Sequence, residues 1–272
     1  RINKCFKNVA SRREADKFLE EGRVRVNKRT ATTGARVLPG DRVTLDGKLF
    51  VYIKYWKPVG VTSTTDRGDA TNVLNASGAE RAYRGQRLFN VGRLDKDSSG
   101  ALLLTSDGRL PGAALSAEAH QEKVYTVTVE RRISDAALER MRSGVTITAP
   151  VQHSGKAVTA KTLPCQAGPC DWYSVKITLK EGRNRQIRRM CEEVGHKVKF
   201  LHRASFMGIT LNGMREGEWK PLNVKEVKLI NRALREAAQR DAPPAASAAG
   251  APALLPEQNV DVTAAPSVEQ RG

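Results

Sequence analysis

An acidic residue, Asp95, lies inside a segment that otherwise has the pattern of a buried strand and its approach. Apolar residues precede it, and the apolar run Ala101–Leu104 is short enough for a buried strand. A carboxylate between two such runs needs a cationic partner, because unpaired acidic groups are rarely buried. An enclosed carboxylate is a candidate catalytic group. The alternative is an ordinary turn, since Asp, Lys, Ser and Gly are common turn residues.

A second segment, residues 184–194, predicts an amphipathic helix that could supply the cation. Its apolar side carries Ile187, Cys191 and Val194, and its other side carries Arg185, Arg188, Arg189 and Glu192. Three arginines near the start of a helix oppose the usual preference for acidic residues there, because the helix dipole is positive at that end. This arrangement favours a phosphate or a buried carboxylate as their partner, although a solvated helix face is the simpler reading.

Four motifs resemble those of the ribosomal pseudouridine synthases, in that family's order and approximate spacing. They are the segment 90–108 around Gly92-Arg-Leu-Asp95, Lys57-Pro-Val-Gly60, Lys123-Val-Tyr125 and the segment 181–190. The resemblance extends from residue 1 to about residue 230. Within the family, Gly217-Glu-Trp219 and the triplet Asp95-Lys-Asp97 are most similar to the large-subunit type F members.

The resemblance implies roles for individual residues. Asp95 would be the catalytic carboxylate and Arg188 its ion-pair partner, with Arg185 and Arg189 as nearby alternatives. Tyr125 would stack on the base and take part in proton transfer, whereas a tyrosine in an alternating strand is ordinarily a packing residue. Residues near the base or the RNA backbone would be Ile187, Arg93, Lys123 and Arg185. Isomerising uridine needs neither a redox partner nor a group donor, so we expect no cofactor and no metal.

The N-terminal segment predicts a small unit of its own. Ser11-Arg-Arg-Glu14 has the pattern of a capping box that opens a helix over residues 12–21. Residues 23–27 alternate charged and apolar, as a half-buried strand does. The segment resembles the alpha-L RNA-binding domain of a small-subunit ribosomal protein. The resemblance assigns RNA binding to Arg12, Arg13, Lys17, Arg23 and Arg25, for which a solvated basic face is the alternative.

The charge of the chain points to a polyanion as partner. Lys and Arg number 46 against 29 Asp and Glu, a formal net charge of +17. Residues 241–272 hold four acidic residues and one arginine, so residues 1–240 carry +20. Nucleic acid is the leading partner for such a charge, and solubility alone is the alternative. We expect an RNA-binding domain at 1–48, a catalytic domain at 49–240 and a disordered Ala- and Pro-rich tail at 241–272.

The cysteines and the apolar runs of the chain bear on its cellular location. The four cysteines are too few and too irregular for a disulfide framework or a zinc finger, although Cys165, Cys170 and His153 are a conceivable metal set. The sequence has neither an apolar run long enough to span a bilayer nor a visible signal peptide. We therefore expect a soluble, cytoplasmic monomer without a membrane partner. The first residue is Arg1, and an upstream targeting segment would place the protein in a plastid or mitochondrion instead.

The remaining patterns predict an α+β fold in which the catalytic domain is built on a mixed, mostly antiparallel sheet. Residues 123–129 alternate as a strand does, Ser134 and Asn223 open helices, and residues 62–86 resemble a mobile loop. A last hairpin is expected over residues 206–213, turning at Asn212-Gly213.

The expected function is isomerisation of a specific uridine in large-subunit ribosomal RNA, within the precursor of that subunit. Alternatives are a synthase acting on small-subunit or transfer RNA, and a non-catalytic RNA-binding factor of ribosome assembly. Asp95, Tyr125 and Arg188 together argue against the last, because a binder gains nothing from an acid facing RNA.

Overall fold

The computed structural model describes residues 1–7, 10–38, 40–84, 86–150 and 156–240. His153 and the tail predicted at 241–272 lie outside the described residues. The α-helices are α1 (Arg12–Glu20), α2 (Val73–Ser77), α3 (Ala79–Ala82), α4 (Leu110–Leu115), α5 (Asp135–Ser143), α6 (Gln186–Glu193) and α7 (Val224–Arg240), and short 3-10 helices span Ile2–Phe6 and Ala117–Ala119.

The strands form three sheets within the described residues. They are β1 (Val24–Val26), β2 (Arg29–Thr30), β3 (Val43–Leu45), β4 (Lys48–Leu49), β5 (Tyr52–Lys57), β6 (Phe89–Val91), β7 (Ser99–Thr105), β8 (Lys123–Val129), β9 (Thr146–Pro150), β10 (Ala157–Lys161), β11 (Gln166–Pro169), β12 (Ser174–Leu179), β13 (Val198–Phe206), β14 (Ile209–Thr210) and β15 (Trp219–Pro221). The first four form a small sheet, β9 and β10 form a hairpin, and the other nine share one large sheet.

The small N-terminal unit forms as its local signals predict. Ser11 Oγ accepts from the amide of Glu14 at 3.2 Å, and the Glu14 carboxylate accepts from the amide of Ser11 at 2.7 Å. These two bonds satisfy amides that would otherwise lack partners at the start of α1. The helix packs Ala15 and Leu19 against Phe6 and Val24, which gives the unit an apolar core of its own.

The large sheet is mixed and mostly antiparallel, as predicted. Its strand order is β11-β12-β8-β13-β7-β5-β15, with β14 paired to β13 and β6 paired to β7. The contact between β13 and β7 is parallel, and the other pairings in this sheet are antiparallel. The parallel pairing is central to the site, because it joins Arg203 and Gly100 at the beginning of β7.

The apolar run in β7 reflects burial on both faces of the sheet. Leu102 and Leu104 belong to the main core, which also contains side chains of α5 and α6. Leu103 points to the opposite face and packs with residues of α4 and α7. A strand covered on both faces is apolar at successive positions rather than alternate ones. The segment that follows Asp95 is therefore a fixed central element of the sheet.

Two expectations about secondary structure were wrong. Residues 62–86 contain the short helices α2 and α3, and the side chain of Asn72 caps α2 through the amide of Asn75. The expected turn at Asn212-Gly213 is present, but the hairpin turns instead at Met207-Gly208, between β13 and β14. Met207 and Gly208 both have positive φ, which provides the backbone conformation that a tight turn requires.

Candidate active site

A cavity of about 880 Å³ opens on the large sheet beside Asp95. Its wall includes six of the seven residues that the sequence nominated outside the N-terminal unit for catalysis and for substrate contacts. Those present are Asp95, Tyr125, Arg93, Lys123, Ile187 and Arg185. Arg188 is not part of the wall. The wall carries five cationic side chains and two carboxylates, Asp95 and Glu181, and this excess of positive charge is the electrostatic character expected of a site for a nucleotide.

Asp95 lies on an irregular segment between β6 and β7 that is fixed at several points. Ser63 Oγ donates to the carbonyl of Leu94 at 2.8 Å and accepts from its amide at 3.1 Å. The amide of Gly60 donates to the carbonyl of Lys96 at 2.8 Å, and that of Ser98 donates to the carbonyl of Asp95 at 3.1 Å. The Asp95 side chain is 34% exposed. The expectation of an enclosed carboxylate was therefore wrong, because this segment turns the side chain into an open cavity.

The arginines of α6 reach this segment differently from the prediction. Arg185 Nη1 lies 3.5 Å from Asp95 Oδ2, and Arg185 Nη2 lies 3.0 Å from Asp97 Oδ2. Arg188 Nη2 instead lies 3.2 Å from Asp97 Oδ2 and donates to the Asp97 carbonyl at 3.0 Å. The predicted Asp95–Arg188 pair is thus wrong in this structure. The cause is that Arg185, with φ 50°, precedes the helix at its N-cap and faces Asp95.

Arg188 is buried and does not lie on a solvent-exposed face of α6. Only 8% of the residue is exposed, and its guanidinium also approaches Ser98 Oγ and the carbonyl of Val198, each at 3.5 Å. Partial burial alone would raise the pKa of Asp97. Hydrogen bonding from Arg185 and the charges of both arginines outweigh it and hold that pKa below its ordinary value. The two arginines thus keep an anion beside Asp95.

Two buried apolar groups form part of the floor of the cavity. Tyr125 is 9% exposed and lies on the same face of β8 as Val127 and Val129, as the alternation of that strand predicts. Ile187 is 4% exposed and belongs to the same core cluster as Tyr125. An aromatic ring and an aliphatic side chain next to a carboxylate can contact the two faces or the edge of a planar base.

Two lysines of this region have pKa values below the ordinary value of a lysine. Burial lowers the pKa of Lys57 to about 8, against the opposing charges of Asp95 and Asp97. Its Nζ donates to the carbonyls of Pro58 and Val61, each at 2.8 Å. Burial, followed by the nearby charge of Arg203, likewise lowers the pKa of Lys123 to about 8. Lys57 therefore supports the loop that contains Pro58 and Val61. Of the two lysines, Lys123 lines the cavity.

The basic side chains of the N-terminal unit differ in their availability. Arg12, Arg13, Lys17 and Arg25 are exposed. Arg23 is already engaged, because its Nε and Nη2 each donate to Asp46 at 2.8 Å and its Nη1 donates to Glu21 at 3.1 Å. The guanidinium of Arg23 also covers the Phe18 ring, with 4.6 Å between the guanidinium carbon and the ring centroid. Its contacts within the unit favour a supporting role for Arg23.

Comparison with known proteins identifies the group to which the chain belongs. Residues 51–193 match the family described as RNA pseudouridylate synthase, and residues 6–43 match the S4 domain. The chain belongs to the RNA pseudouridylate synthase family. It is an RNA pseudouridine synthase with an N-terminal S4 RNA-binding domain, as the sequence motifs predicted.

Individual relatives agree with this assignment. The enzyme is 39% identical to the dual-specificity RNA pseudouridine synthase RluF of Shigella flexneri, over 87% of this chain and 81% of the relative. It is 32% identical to the ribosomal large subunit pseudouridine synthase B of Bacillus subtilis, over 84% of this chain and 93% of the relative. A crystal structure of a pseudouridylate synthase superposes with a TM-score of 0.57 and 25% identity, covering 85% of this chain and 99% of the other.

Several features of the site were not anticipated from the sequence. The hairpin β9–β10 contributes Ala149, Pro150, Val158 and Ala160 to the cavity wall, and Arg189 holds it through the carbonyl of Thr148 at 2.7 Å. The alternation of polar and apolar residues in Thr146-Ile-Thr-Ala149 was the available signal for this hairpin. Ser63 and Arg203 gave no local signal, because their partners are distant in sequence.

No helix in the described part of the chain is long and apolar enough to cross a membrane. Over the same ranges, His, Cys, Asp and Glu residues do not assemble into a group that could hold a metal ion. Cys165 and Cys170 are free thiols.

Proposed function

We propose that this enzyme isomerises a specific uridine of large-subunit ribosomal RNA, with Asp95 as the catalytic carboxylate. The observation that carries the proposal is the position of Asp95 in a cationic cavity that also contains Tyr125 and Ile187. The Bacillus relative is a ribosomal large subunit pseudouridine synthase, which supports the choice of RNA.

The reaction sets the requirements for the site. The bond between ribose C1′ and uracil N1 breaks, a bond between C1′ and C5 forms, the proton on C5 leaves and N1 gains a proton. A carboxylate at Asp95 can attack the sugar or the base, or accept a proton. The target base must leave its stack to reach Asp95, and Tyr125 and Ile187 provide the surface on which it rests.

The charged residues of the site have distinct proposed roles. Arg185 keeps a positive charge beside Asp95, and Arg188 positions the backbone after it through Asp97 and Ser98. Arg93 and Lys123 contact the RNA backbone at the rim of the cavity. Arg12, Arg13, Lys17 and Arg25 of the S4 domain, with Arg23 in support, bind RNA phosphates outside the cavity. We also propose that the domains divide near residue 48.

The decisive experiment is to map pseudouridines in all ribosomal and transfer RNAs from cells that lack this protein. We expect one or more sites in large-subunit RNA to be lost and to return when the wild-type gene is restored. Restoration with Asp95→Asn should leave the sites unmodified, because the amide keeps the shape of the side chain but not its charge. Loss confined to small-subunit or transfer RNA would contradict the proposed substrate.

A purified-enzyme assay tests the role of Asp95 separately. Asp95→Asn should reduce the single-turnover rate by at least about 10²–10⁴-fold, the range that a catalytic acid or base contributes. RNA affinity should persist, because the variant retains the basic surface. Asp97→Asn removes a neighbouring negative charge two residues away, and because Asp97 supports the segment rather than reacting, this variant should retain measurable turnover. Full turnover by Asp95→Asn would contradict the proposed chemistry.

A further inference from the structure

Arg203, on β13, is a buried cation in the cavity wall that the sequence did not nominate. Only 2% of the residue is exposed, and it lines the same cavity as Asp95 and Tyr125. Among the described residues it has no ion-pair partner, and its Nη2 is buried without a hydrogen-bond partner. Burying an unpaired charged group is costly, so its presence needs an explanation beyond packing.

The contacts that Arg203 does make lie on both sides of Asp95. Its Nε donates to the carbonyl of Ala101 at 2.6 Å, and its Nη1 approaches the carbonyl of Arg93 at 3.5 Å. Arg93 precedes Asp95 by two residues, and Ala101 belongs to β7, which follows it. The planar guanidinium can bond in two directions at once, so one side chain connects the two ends of the segment that carries Asp95.

The backbone of β13 reinforces this connection. Arg203 and Gly100 are partners in the parallel pairing of β13 with β7, and a Cβ at Gly100 would lie 2.3 Å from the carbonyl oxygen of Arg203. The strands can approach this closely only because position 100 is glycine. The preceding residue, His202, contacts Ser99 Oγ through Nδ1 at 2.9 Å. The beginning of β7 is therefore held by two successive residues of β13.

Phe206 fixes the guanidinium from a third side. The ring centroid lies 4.9 Å from the guanidinium carbon of Arg203, within the range of a cation–π contact. Both residues line the cavity. Arg203 thus has little freedom to turn away from Ala101 and Arg93.

We propose that Arg203 is a positioning residue for the isomerisation: it connects Arg93 to Ala101 and thereby holds Asp95 toward the target base. The proposal rests on the catalytic role assigned to Asp95. Packing alone would not require an arginine at this position, because a hydrophobic side chain of similar volume would fill the same space without a buried charge. Replacing buried charges by apolar groups is often neutral or stabilising. Stability alone therefore does not account for an arginine here.

The test compares Arg203→Met and Arg203→Lys with Lys199→Met, which removes the same charge from an exposed position on the same strand. Asp95→Asn is measured in parallel. We expect Arg203→Met to reduce kcat and the single-turnover rate at saturating RNA by about 100-fold, as small displacements of a reacting group do. KM and RNA affinity should stay within about threefold of wild type, as for Lys199→Met, because a single charge contributes little to RNA binding. The melting temperature should be unchanged or higher.

Arg203→Lys provides the sharper measurement. Lysine keeps the charge but has one donor nitrogen, which cannot reach both carbonyls in the arrangement of the guanidinium. We expect Arg203→Lys to remain folded and to be nearly as slow as Arg203→Met. If the methionine variant unfolds, the rate of Arg203→Lys is compared with wild type and Lys199→Met instead.

Two results would overturn the inference. One is a wild-type rate in folded Arg203→Met, and the other is full rescue by Arg203→Lys, which would show that charge alone suffices. Either result together with an inactive Asp95→Asn would refute the positioning role and leave the proposed chemistry intact. An active Asp95→Asn would refute the proposed chemistry itself.

Discussion

Arg185 Nη1 lies 3.5 Å from Oδ2 of Asp95, whereas the guanidinium of Arg188 is bonded to Asp97 and to the backbone beside it. The two arginines of α6 therefore act on the same segment in different ways. Arg185 is 41% exposed and affects Asp95 through charge, while the side chain of Arg188 is 9% exposed and supports the backbone. Their substitutions should therefore differ in their effect on stability.

We predict that Arg185→Ala changes the free energy of unfolding by no more than about 0.5 kcal/mol, as most exposed substitutions do. Its single-turnover rate should fall by up to about fivefold, because a partly exposed ion pair contributes up to about 1 kcal/mol. Arg188→Ala should lower the free energy of unfolding by about 1–3 kcal/mol, since it leaves the Asp97 and Val198 carbonyls without a charged donor. It should also reduce the rate.

Urea unfolding and single-turnover kinetics on both variants measure these effects. Arg189→Ala is the control on the same helix, because Arg189 bonds to Thr148 of the β9–β10 hairpin rather than to the Asp95 segment. An Arg188→Ala variant of wild-type stability would contradict the supporting role. A wild-type rate for Arg185→Ala would show that its charge does not act on Asp95.

The sequence was informative where the signals were local. The capping box of Ser11 and Glu14, the cap at Ser134 and the alternation of β8 each specify their elements within a few residues, and the structure contains all three. The polar segment 62–86 was different, because α2 and α3 are only five and four residues long. Such short helices are marginal alone and depend on tertiary packing, here of Val73, Leu74 and Ala79 in the main core.

The site was predictable only in part, for a related reason. Motifs indicated Asp95, Tyr125 and Ile187, and the structure brings all three to one cavity. They did not indicate which arginine faces Asp95, because that depends on the positive φ of Arg185 at the N-cap of α6. Arg203 is more than 100 residues from Asp95 in sequence and acts across a parallel strand pair, which no local pattern specifies.

A separate prediction concerns the S4 domain as an RNA-binding surface. The double variant Arg12→Ala/Arg13→Ala should weaken RNA binding and reduce the slope of log affinity against log salt. Each phosphate contact that is lost lowers this slope by about 0.7–0.9. The control is Lys225→Ala/Lys228→Ala on α7, which removes the same charge from exposed positions outside the S4 domain. Equal slopes for the two double variants would contradict a specific role for α1.

A buried ionic cluster joins the N-terminal segment to the catalytic domain, and we predict that it is important for stability. Asp107 is fully buried and accepts from Tyr52 Oη at 2.6 Å and from Arg109 Nη2 at 2.7 Å. The adjacent amide of Gly108 donates to the carbonyl of Cys5 at 2.9 Å. Asp107→Ala should reduce the free energy of unfolding by about 3–5 kcal/mol, because it strands the Arg109 charge.

Chemical denaturation of Asp107→Ala tests this prediction, with Glu139→Ala as the control. Glu139 pairs with Arg142 at the surface and is 67% exposed, so its loss should cost less than about 1 kcal/mol. Similar costs for the two variants would show that the Asp107 cluster contributes no more than a surface pair.

The pKa of Lys123 predicts a pH dependence of RNA binding. Burial, followed by the charge of Arg203, lowers this pKa to about 8, so the side chain is mostly charged at pH 7 and mostly neutral at pH 9. If Lys123 contacts a phosphate, RNA affinity should fall as the pH rises through 8. Losing one charged contact worth about 1 kcal/mol corresponds to a roughly fivefold loss of affinity.

Lys123→Arg should remove this decline, because arginine stays charged across the range. Equilibrium binding between pH 6.5 and pH 9.5 compares the two proteins, and any contribution from titration of the RNA is common to both. An identical decline in wild type and Lys123→Arg would exclude Lys123 as its source and would place the titrating group elsewhere in the site.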